Sequence, residues 1–233
     1  MNLPFRFSLL LISAIIMVLQ GCAAPEQRLD RQMLGNPASI KVARFEPVKL
    51  RKPTSGSKVA AATSYPLAVL TGGIGAGAAA ATTLALESNA GEELSVRVQL
   101  PDYSEIVMGR FVETAQSEIS DWPKMYIDNN VLRTNEAQNE CLIAFRVVRA
   151  RVAPASGLTI STDAEMFTPD KKRVWARRFT YRSSDFRRCT DLGMLEADQG
   201  KLLHEEWEYA AKQTVADFIA HLKGATGYAA RSE

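Results

Sequence analysis

Few residues of this 233-residue chain belong to the types that carry catalysis or bind metals. The two histidines, His204 and His221, fall in one helical stretch about 25 Å apart by helical rise, so they cannot share a metal ion. His204 and Glu208 stand four residues apart, but the second histidine of a zinc-protease motif is missing. The acids between them, Glu205 and Glu206, fit a solvated first turn of a helix. We therefore expect no metal site, no catalytic residue and no enzymatic activity.

Arginines on two strand-like stretches form a second candidate site. They are Arg146, Arg149, Arg151, Arg173, Arg177, Arg178, Arg182, Arg187 and Arg188. If neighbouring strands bring Arg146, Arg178 and Arg182 together, they form a positive face suited to an anionic polymer or to lipid head groups. The alternative is a solvated sheet face on which these arginines pair with acids such as Asp163 and Asp185 across the strands.

An uncharged Ala/Gly-rich insertion, 59–86, is the third candidate. Its glycines around Gly73 formally satisfy a dinucleotide fingerprint, but no repeated βαβ units surround them, so we expect no nucleotide cofactor. Small residues recur at every fourth position, a spacing that lets helices pack closely: Gly73, Gly77, Ala81 and Ala85. The stretch 66–86 is long enough to span a bilayer but poor in large apolar residues. An Ala-rich helical excursion on the domain surface is the alternative.

The elements that would position these candidates begin near residue 40. Alternating apolar residues predict strands at 40–45, 94–100, 141–152, 158–166 and 173–182. Short connections between the last three strands predict an antiparallel meander. The stretch 124–138 is mixed in character, and Asn129-Asn130 marks a turn within it.

Two amphipathic helices are predicted at 103–119 and 200–223. The order of elements predicts an α+β fold: a mostly antiparallel sheet of about five strands, two main helices packed on one face, and an Ala/Gly-rich helical excursion. We divide the chain into a signal peptide at 1–21, a lipidated N-terminus and flexible tether at 22–39, a single domain at 40–224 with the insertion 59–86, and a flexible tail at 225–233.

The first 21 residues have the features of a secretory signal peptide: the positive Arg6, the apolar run 9–19 and a small residue at the cut. The segment Leu19-Gln20-Gly21-Cys22 resembles the lipobox of bacterial lipoproteins, in which the peptide is cut before the cysteine. This resemblance implies that Cys22 becomes the mature N-terminus and carries a covalent lipid, the only cofactor we expect. An uncleaved membrane helix or ordinary secretion are the alternatives. Lipoproteins kept at the inner membrane have Asp after the cysteine, so Ala23 implies the outer membrane.

Export determines how the other cysteines are interpreted, because disulfides persist in the periplasm. With Cys22 lipidated, Cys141 and Cys189 remain, and we predict a disulfide between them. Two buried thiols or a metal site are the alternatives, and the metal site is disfavoured because the CxxC spacing is missing.

The charge balance excludes recruitment of nucleic acid by a global field. The formal net charge is +2 over the whole chain, and loss of residues 1–21, with Arg6 as their only charge, leaves +1.

The order of strands and helices resembles that of small periplasmic lipoprotein modules, including auxiliary lipoproteins of ABC transport systems and the N-terminal domain of the translocation protein TolB. The resemblance implies a membrane-anchored, non-enzymatic accessory or adaptor that binds another envelope protein and no small-molecule substrate. The alternative is a transport or pore component that inserts and oligomerises through 66–86.

Overall fold

The computed structural model describes residues 26–29, 34, 37–54, 74–119, 122–132 and 140–224, and in 74–82 only the backbone. The expected signal peptide, Cys22, Ala23, Gly73 and the tail 225–233 lie outside the described residues. The elements are β1 (Ser39–Arg44), α1 (Ile74–Arg97), α2 (Tyr103–Glu118), β2 (Lys124–Val131), β3 (Cys141–Ala153), β4 (Gly157–Phe167), β5 (Arg173–Arg182), α3 (Leu192–Glu196) and α4 (Lys201–Leu222). Short 3-10 turns at Ser183–Phe186 and Asp198–Gly200 precede α3 and α4.

The five strands form one mixed sheet in the order β2-β1-β3-β4-β5, so the predicted α+β class is confirmed. Strands β3, β4 and β5 pair antiparallel over nearly their whole lengths, as the predicted meander requires. Strand β1 lies between β2 and β3 and pairs parallel with both. The antiparallel pairs are the longer ones, which makes the sheet mostly antiparallel.

Helices α2 and α4 cover one face of the sheet and enclose the main core with it. The stripe Val107, Phe111 and Ala115 of α2 is fully buried, and the Phe111 ring meets Phe145 of β3 edge to face at 5.1 Å. Helix α2 begins at a capping residue, because the Asp102 side chain accepts the Ser104 N–H at 2.8 Å. The predicted pair of helices on one face is therefore confirmed.

Residues 94–100 are not a strand. Helix α1 continues to Arg97, and a turn follows. Leu94 and Val98 are buried, whereas Val96, which a strand would have turned to the same side, is 71% exposed. Positions four apart share a face in both a helix and a strand, so only the intermediate residue distinguishes the two periods. The fifth strand is β2, which occupies the stretch where the sequence indicated a turn.

The turn signal in β2 has a local cause. The Asp128 carboxylate accepts the Asn130 N–H at 3.0 Å, which is the side-chain turn that Asp and Asn favour. Strand pairing with β1 nevertheless continues to Val131, with a register shift opposite Val42 and Arg44. The sequence therefore located an irregularity correctly but did not reveal the parallel partner that keeps this stretch in the sheet.

The backbone of helix α1 lies in close contact with the backbone of the segment 50–52. A Cβ added to Gly91 would lie 1.9 Å from the Leu50 carbonyl oxygen, so only glycine fits there. The Lys52 N–H donates to the Glu87 carbonyl at 2.9 Å, and Arg151 pairs with the Glu87 carboxylate at 3.0 Å. These contacts attach the C-terminal half of α1 to the segment 50–52 and to β3.

The predicted disulfide is wrong. Cys141 is a buried free thiol at the first residue of β3, and Cys189 is a partly buried free thiol. The Cys189 carbonyl lies beside Gly157, which pairs with Ala153 at the last residue of β3. Twelve residues of extended strand (141 to 153) span about 40 Å, whereas a disulfide needs Cα atoms within about 7 Å. The two cysteines thus stand at opposite ends of the longest strand.

Candidate functional site

The three arginines predicted to form a positive face lie on the sheet face opposite α2 and α4, which we call the open face. Strand register places Arg146 opposite Asp163 and Asp163 opposite Arg178. Arg178 binds both Asp163 oxygens, with Nη2–Oδ2 at 2.7 Å, and these hydrogen bonds raise the pKa of the Arg178 guanidinium. Arg182 lies 3.5 Å from Asp185. Two of the three charges are therefore balanced by carboxylates.

Arg146 differs from the other two. Its guanidinium carbon lies 4.1 Å from the centre of the Phe45 ring, and among the described residues no carboxylate lies within ion-pair distance of it. Stacking on an aromatic ring holds the guanidinium plane and leaves its N–H edges available to a ligand. Of the three arginines predicted to form a positive face, Arg146 is thus the one without a carboxylate partner among the described residues.

Arg146 borders an open groove of about 1150 Å³ between the end of β2, the segment 45–48 and β3, which we call the Arg146 groove. Its lining includes the apolar side chains of Phe45, Val131 and Leu132. The other lysine or arginine in it, Lys41, is engaged by Asp128. This ion pair lowers the pKa of the Asp128 carboxyl, chiefly through the Lys41 hydrogen bond. Glu46 also lines the groove, so its two cations and two carboxylates balance formally, and Arg146 is the cation that has no carboxylate within ion-pair distance among the described residues.

Strand β2 continues this surface to the edge of the sheet. Tyr126, Ile127 and Val131 are each about two-fifths exposed, and β2 pairs only with β1 among the described strands. Tyr126 donates its hydroxyl to Glu140, and this hydrogen bond is the main reason that the pKa of Tyr126 rises to about 12. Gln116 of α2 donates to the Met125 carbonyl at 3.3 Å. Of these exposed residues Val131 lines the Arg146 groove, while Tyr126 and Ile127 flank the free edge of β2 on opposite faces of the sheet.

The opposite edge of the sheet is paired at one position. Gln27 pairs with Ala176 of β5 as an antiparallel bridge, with N–H to carbonyl distances of 2.7 and 3.0 Å. Glu26 pairs with Arg177 at 2.8 Å, and Arg177 also binds both oxygens of the buried Asp217. We call Glu26 and Gln27 with these contacts the N-terminal clamp. Both residues belong to the stretch predicted to be a flexible tether, and they lie against the sheet.

A histidine adjoins the N-terminal clamp. Trp175, fully buried in β5, donates its indole N–H to His221 Nδ1 at 2.9 Å, so Nδ1 carries no proton. The His221 Nε2 atom lies 3.8 Å from Glu26. Burial, followed by the charge of Arg177, lowers the pKa of His221. His204, at the other end of α4, meets the Val98 carbonyl at 2.6 Å, so the two histidines act separately, as their spacing predicts.

Glu206 is the chemically distinctive residue that the sequence interpretation missed. The sequence predicts a solvated turn here, but Glu206 is buried and receives hydrogen bonds from Tyr181 at 2.6 Å, from Ser183 at 2.7 Å and from Arg188. Burial and this carboxylate raise the pKa of Tyr181, which keeps the phenol protonated as a donor. Donors occupy both carboxylate oxygens, so the cluster fixes the turn after β5. The position of this residue indicates its burial, because residue 206 lies on the apolar stripe of the helix between Leu203 and Ala210.

The small-residue stripe is only partly described. Gly77 and Ala81 lie within α1, and Ala85 is exposed there between Leu84 and Leu86, which are 44% and 39% exposed. No helix in the described part of the chain is long and apolar enough to cross a membrane. The described residues also contain no group of three or more His, Cys, Asp or Glu side chains that could hold a metal ion.

Comparison with known proteins leaves the family open. No family model matches the chain, and no curated protein matches it. A subunit of the PelC dodecamer from Paraburkholderia phytofirmans is similar at 10% identity and a TM-score of 0.34, covering 86% of this chain and 94% of that one. A DUF330 protein from Xanthomonas campestris is similar at 16% identity and a TM-score of 0.28, covering 48% of this chain and 58% of that one. Likenesses at this level establish neither family nor function.

Proposed function

We propose that this protein is a lipoprotein anchored through Cys22 and that its domain is a non-enzymatic accessory or adaptor that binds another envelope protein. The observation that carries the proposal is the contrast between the two sheet edges. The β5 edge is paired with the N-terminal clamp at Ala176, whereas the outer edge of β2 has no partner strand among the described residues and presents exposed Tyr126, Ile127 and Val131, the last in the lining of the Arg146 groove. Exposed apolar side chains grouped beside a groove mark an interaction surface.

The chemistry of the groove defines the partner segment. Phe45, Val131 and Leu132 suit an apolar or aromatic side chain, and Arg146 suits a carboxylate that it can bind through two N–H groups. An extended segment of a partner protein with an acidic residue next to an aromatic one meets both requirements. Because Gln116 already donates to the Met125 carbonyl, recognition rests on side chains more than on an added strand.

The proposed location in the cell is inferred from the first 23 residues. The lipobox-like segment 19–22 supports a lipid anchor, and Ala23 supports the outer membrane with the domain facing the periplasm. The absence of catalytic activity is part of the proposal.

Site-specific photo-crosslinking tests the docking surface in cells. A benzoylphenylalanine at Tyr126 or Val131 should give one discrete adduct with a different protein, which mass spectrometry identifies. The same probe at Val96, which is 71% exposed on α1, is the control and should give no such adduct. An adduct of equal strength at Val96, or an adduct resistant to proteases, contradicts docking of a protein at this surface.

The charge of Arg146 has its own test and a matched control. Arg146→Ser should weaken binding of the captured partner by about tenfold, the size expected from loss of a charge-assisted hydrogen bond. Arg146→Lys should recover only part of this loss, because an ammonium cannot bind a carboxylate through two parallel N–H groups. Arg149→Ser removes an exposed arginine of the same strand outside the groove lining and should leave binding unchanged.

A transport or pore component that oligomerises through 66–86 is the second candidate function. The observation that favours it is the exposed run Leu84, Ala85 and Leu86 on α1. Ala85→Cys in the intact protein should then give a disulfide-linked dimer under mild oxidation. A crosslink from Tyr126 to a different protein, without an Ala85→Cys dimer, supports the adaptor. An Ala85→Cys dimer without a crosslink to a different protein at Tyr126 supports the oligomer.

A further inference from the structure

The stretch that follows Cys22 is fastened to the sheet only a few residues later. Gln27 forms both hydrogen bonds of its bridge with Ala176, and its side chain donates to the Arg173 carbonyl at 3.0 Å. Arg173 in turn donates from Nε to the Gln27 side-chain oxygen at 3.2 Å. Four hydrogen bonds therefore hold a single residue against β5.

Glu26 binds a guanidinium whose position is already fixed. Arg177 donates to Asp217 from Nε at 2.7 Å and from Nη2 at 2.9 Å, and Asp217 is buried on α4. The remaining nitrogen, Nη1, faces Glu26 at 2.8 Å. Little side-chain freedom is lost when Glu26 binds, because the buried Asp217 has already oriented Arg177.

The number of residues between the anchor and the clamp limits how far the domain can stand from the bilayer. Four residue steps separate Cys22 from Glu26, and a fully extended chain spans at most about 3.6 Å per residue, so the reach is about 14 Å. Without the clamp, the next residue in contact with the core is Leu29, seven steps from the anchor, which allows a reach of about 25 Å. The clamp thus shortens the tether from about 25 Å to about 14 Å.

We propose that the N-terminal clamp holds the β5 edge against the lipid head groups of the membrane that carries the anchor, so that β2 and the Arg146 groove face away from it. This inference rests on the proposed lipidation of Cys22. Four strand spacings of about 4.8 Å separate β5 from β2, so the partner surface stands about 19 Å further from the bilayer than the anchored edge.

The arginines on the open face of β5 are compensated and contribute little to this orientation. The β5 arginines most exposed toward the open face each have a carboxylate within ion-pair distance: Arg173 with Glu165, Arg178 with Asp163 and Arg182 with Asp185. A short tether acts independently of ionic strength, whereas attraction between an exposed arginine and anionic lipid is screened by salt. Resistance of the orientation to salt is therefore expected.

Short-range quenching in vesicles tests the orientation. The lipidated protein is reconstituted into phosphatidylethanolamine/phosphatidylglycerol vesicles that contain a lipid with a nitroxide on its head group. A coumarin amino acid is encoded at Arg182 of β5 or at Tyr126 of β2. Quenching at Arg182 should exceed that at Tyr126 at least about twofold, given the separation of about 19 Å. The difference should persist when NaCl rises from about 0.1 M to 1 M, which shortens the Debye length from about 10 Å to 3 Å.

Two variants link the orientation to the clamp. Gln27→Pro removes the N–H that donates to Ala176 and should abolish the difference between the probes. Arg28→Pro introduces the same ring one residue later, where no N–H takes part in the described hydrogen bonds, and should preserve it. Equal quenching at both probes in the unaltered protein, or stronger quenching at Tyr126, overturns the proposed orientation.

A separate measurement distinguishes a protein without the lipid anchor from an anchored protein with a different orientation. Mass spectrometry of the N-terminal peptide shows whether Cys22 carries a lipid. An unlipidated Cys22 refutes the proposed anchorage and the orientation with it, whereas a lipidated protein with equal quenching at the two probes refutes the orientation alone.

Discussion

Individual charges in this domain are placed where a neighbouring group compensates them. Glu206 is buried among Tyr181, Ser183 and Arg188, whereas Glu208, two residues later on the same helix, forms an exposed pair with Arg110. A carboxylate inside a protein is tolerated only when its oxygens are satisfied, and removal of one partner leaves the others unpaired. The two glutamates therefore differ in what their removal does to stability.

Glu206→Ala should lower the free energy of unfolding by about 3 kcal/mol or more, because Arg188 and the buried Tyr181 hydroxyl lose their acceptor. Glu208→Ala should change it by less than about 1 kcal/mol, as expected for an exposed ion pair. Urea unfolding followed by tryptophan fluorescence measures both. Similar losses for the two variants would contradict the assigned role of Glu206.

His221 should make stability depend on pH. Its pKa in the folded state lies below the ordinary value of about 6.5, so the unfolded chain binds the proton more readily. Stability is therefore greatest above pH 6.5 and falls as the pH drops from there toward the folded pKa. Protonation of Nδ1 also removes the acceptor of the Trp175 N–H, and burial, with the charges of Arg177 and Arg28, outweighs the attraction of Glu26 and Asp217 for the positive charge.

His221→Asn retains a side-chain acceptor for Trp175 but cannot be protonated near neutral pH. The fall in melting temperature between pH 7.5 and pH 5 should be smaller in this variant than in the unaltered protein. Thermal unfolding across these pH values measures the difference between the two proteins. Identical pH profiles would show that His221 does not contribute to the pH dependence.

At the scale of elements, two helical glycines have opposite roles. A Cβ on Gly91 of α1 would meet the Leu50 carbonyl oxygen, whereas a Cβ on Gly109 of α2 would meet nothing within 4 Å. Gly91→Ala should destabilise the protein by about 2 kcal/mol or more because α1 must move away from the segment 50–52. Gly109→Ala should stabilise it by about 0.5 to 1 kcal/mol through helix propensity.

Thermal unfolding of both alanine variants tests this pair. Circular dichroism of the native state adds a check, since loss of α1 packing in Gly91→Ala should reduce helix content while Gly109→Ala should retain it. A Gly91→Ala variant as stable as the unaltered protein would refute the close approach of α1 to Leu50.

The sequence predicted those elements whose apolar residues fit a single repeat, either that of a strand or that of a helix. Strands β3, β4 and β5 and helices α2 and α4 belong to this group, and their predicted order and pairing are confirmed. The end of α1 was misassigned because Leu94 and Val98 satisfy both periods. The parallel partners of β1 could not be predicted, since they lie about 85 and 101 residues away (40 to 125 and 40 to 141) and no local signal records them.

The candidate site was predictable in part for a related reason. Alternation placed Arg146, Arg178 and Arg182 on strands, but the pairing register decides which of them meets an acid, and that register is a tertiary property. The clamp at Glu26 and Gln27 escaped prediction because the stretch 23–39 is polar and shows no sustained period. The contacts that hold Glu26 and Gln27 come from β5, which is distant in the sequence.

At the scale of the whole molecule, the positions of the cysteines give a direct test of the fold. Cys141 and Cys189 lie at opposite ends of β3, so the unreduced, unfolded mature protein should contain two reactive thiols. In the folded protein Cys189 should react with a thiol reagent much faster than the buried Cys141. Mass spectrometry after alkylation with and without denaturant measures both. A thiol count of zero would restore the disulfide and refute the arrangement of β3.

The central position of β1 also governs when this chain can fold. Strand β1 is the first to be synthesised, yet both of its partners, β2 and β3, come about 85 to 101 residues later. Until they emerge, the hydrogen-bonding groups of both β1 edges have no strand to pair with, and closing loops of this length makes folding slow. A newly made chain therefore remains open until most of it exists. For a protein that we propose is exported before it folds, this delay keeps the chain in the state that transport across a membrane requires.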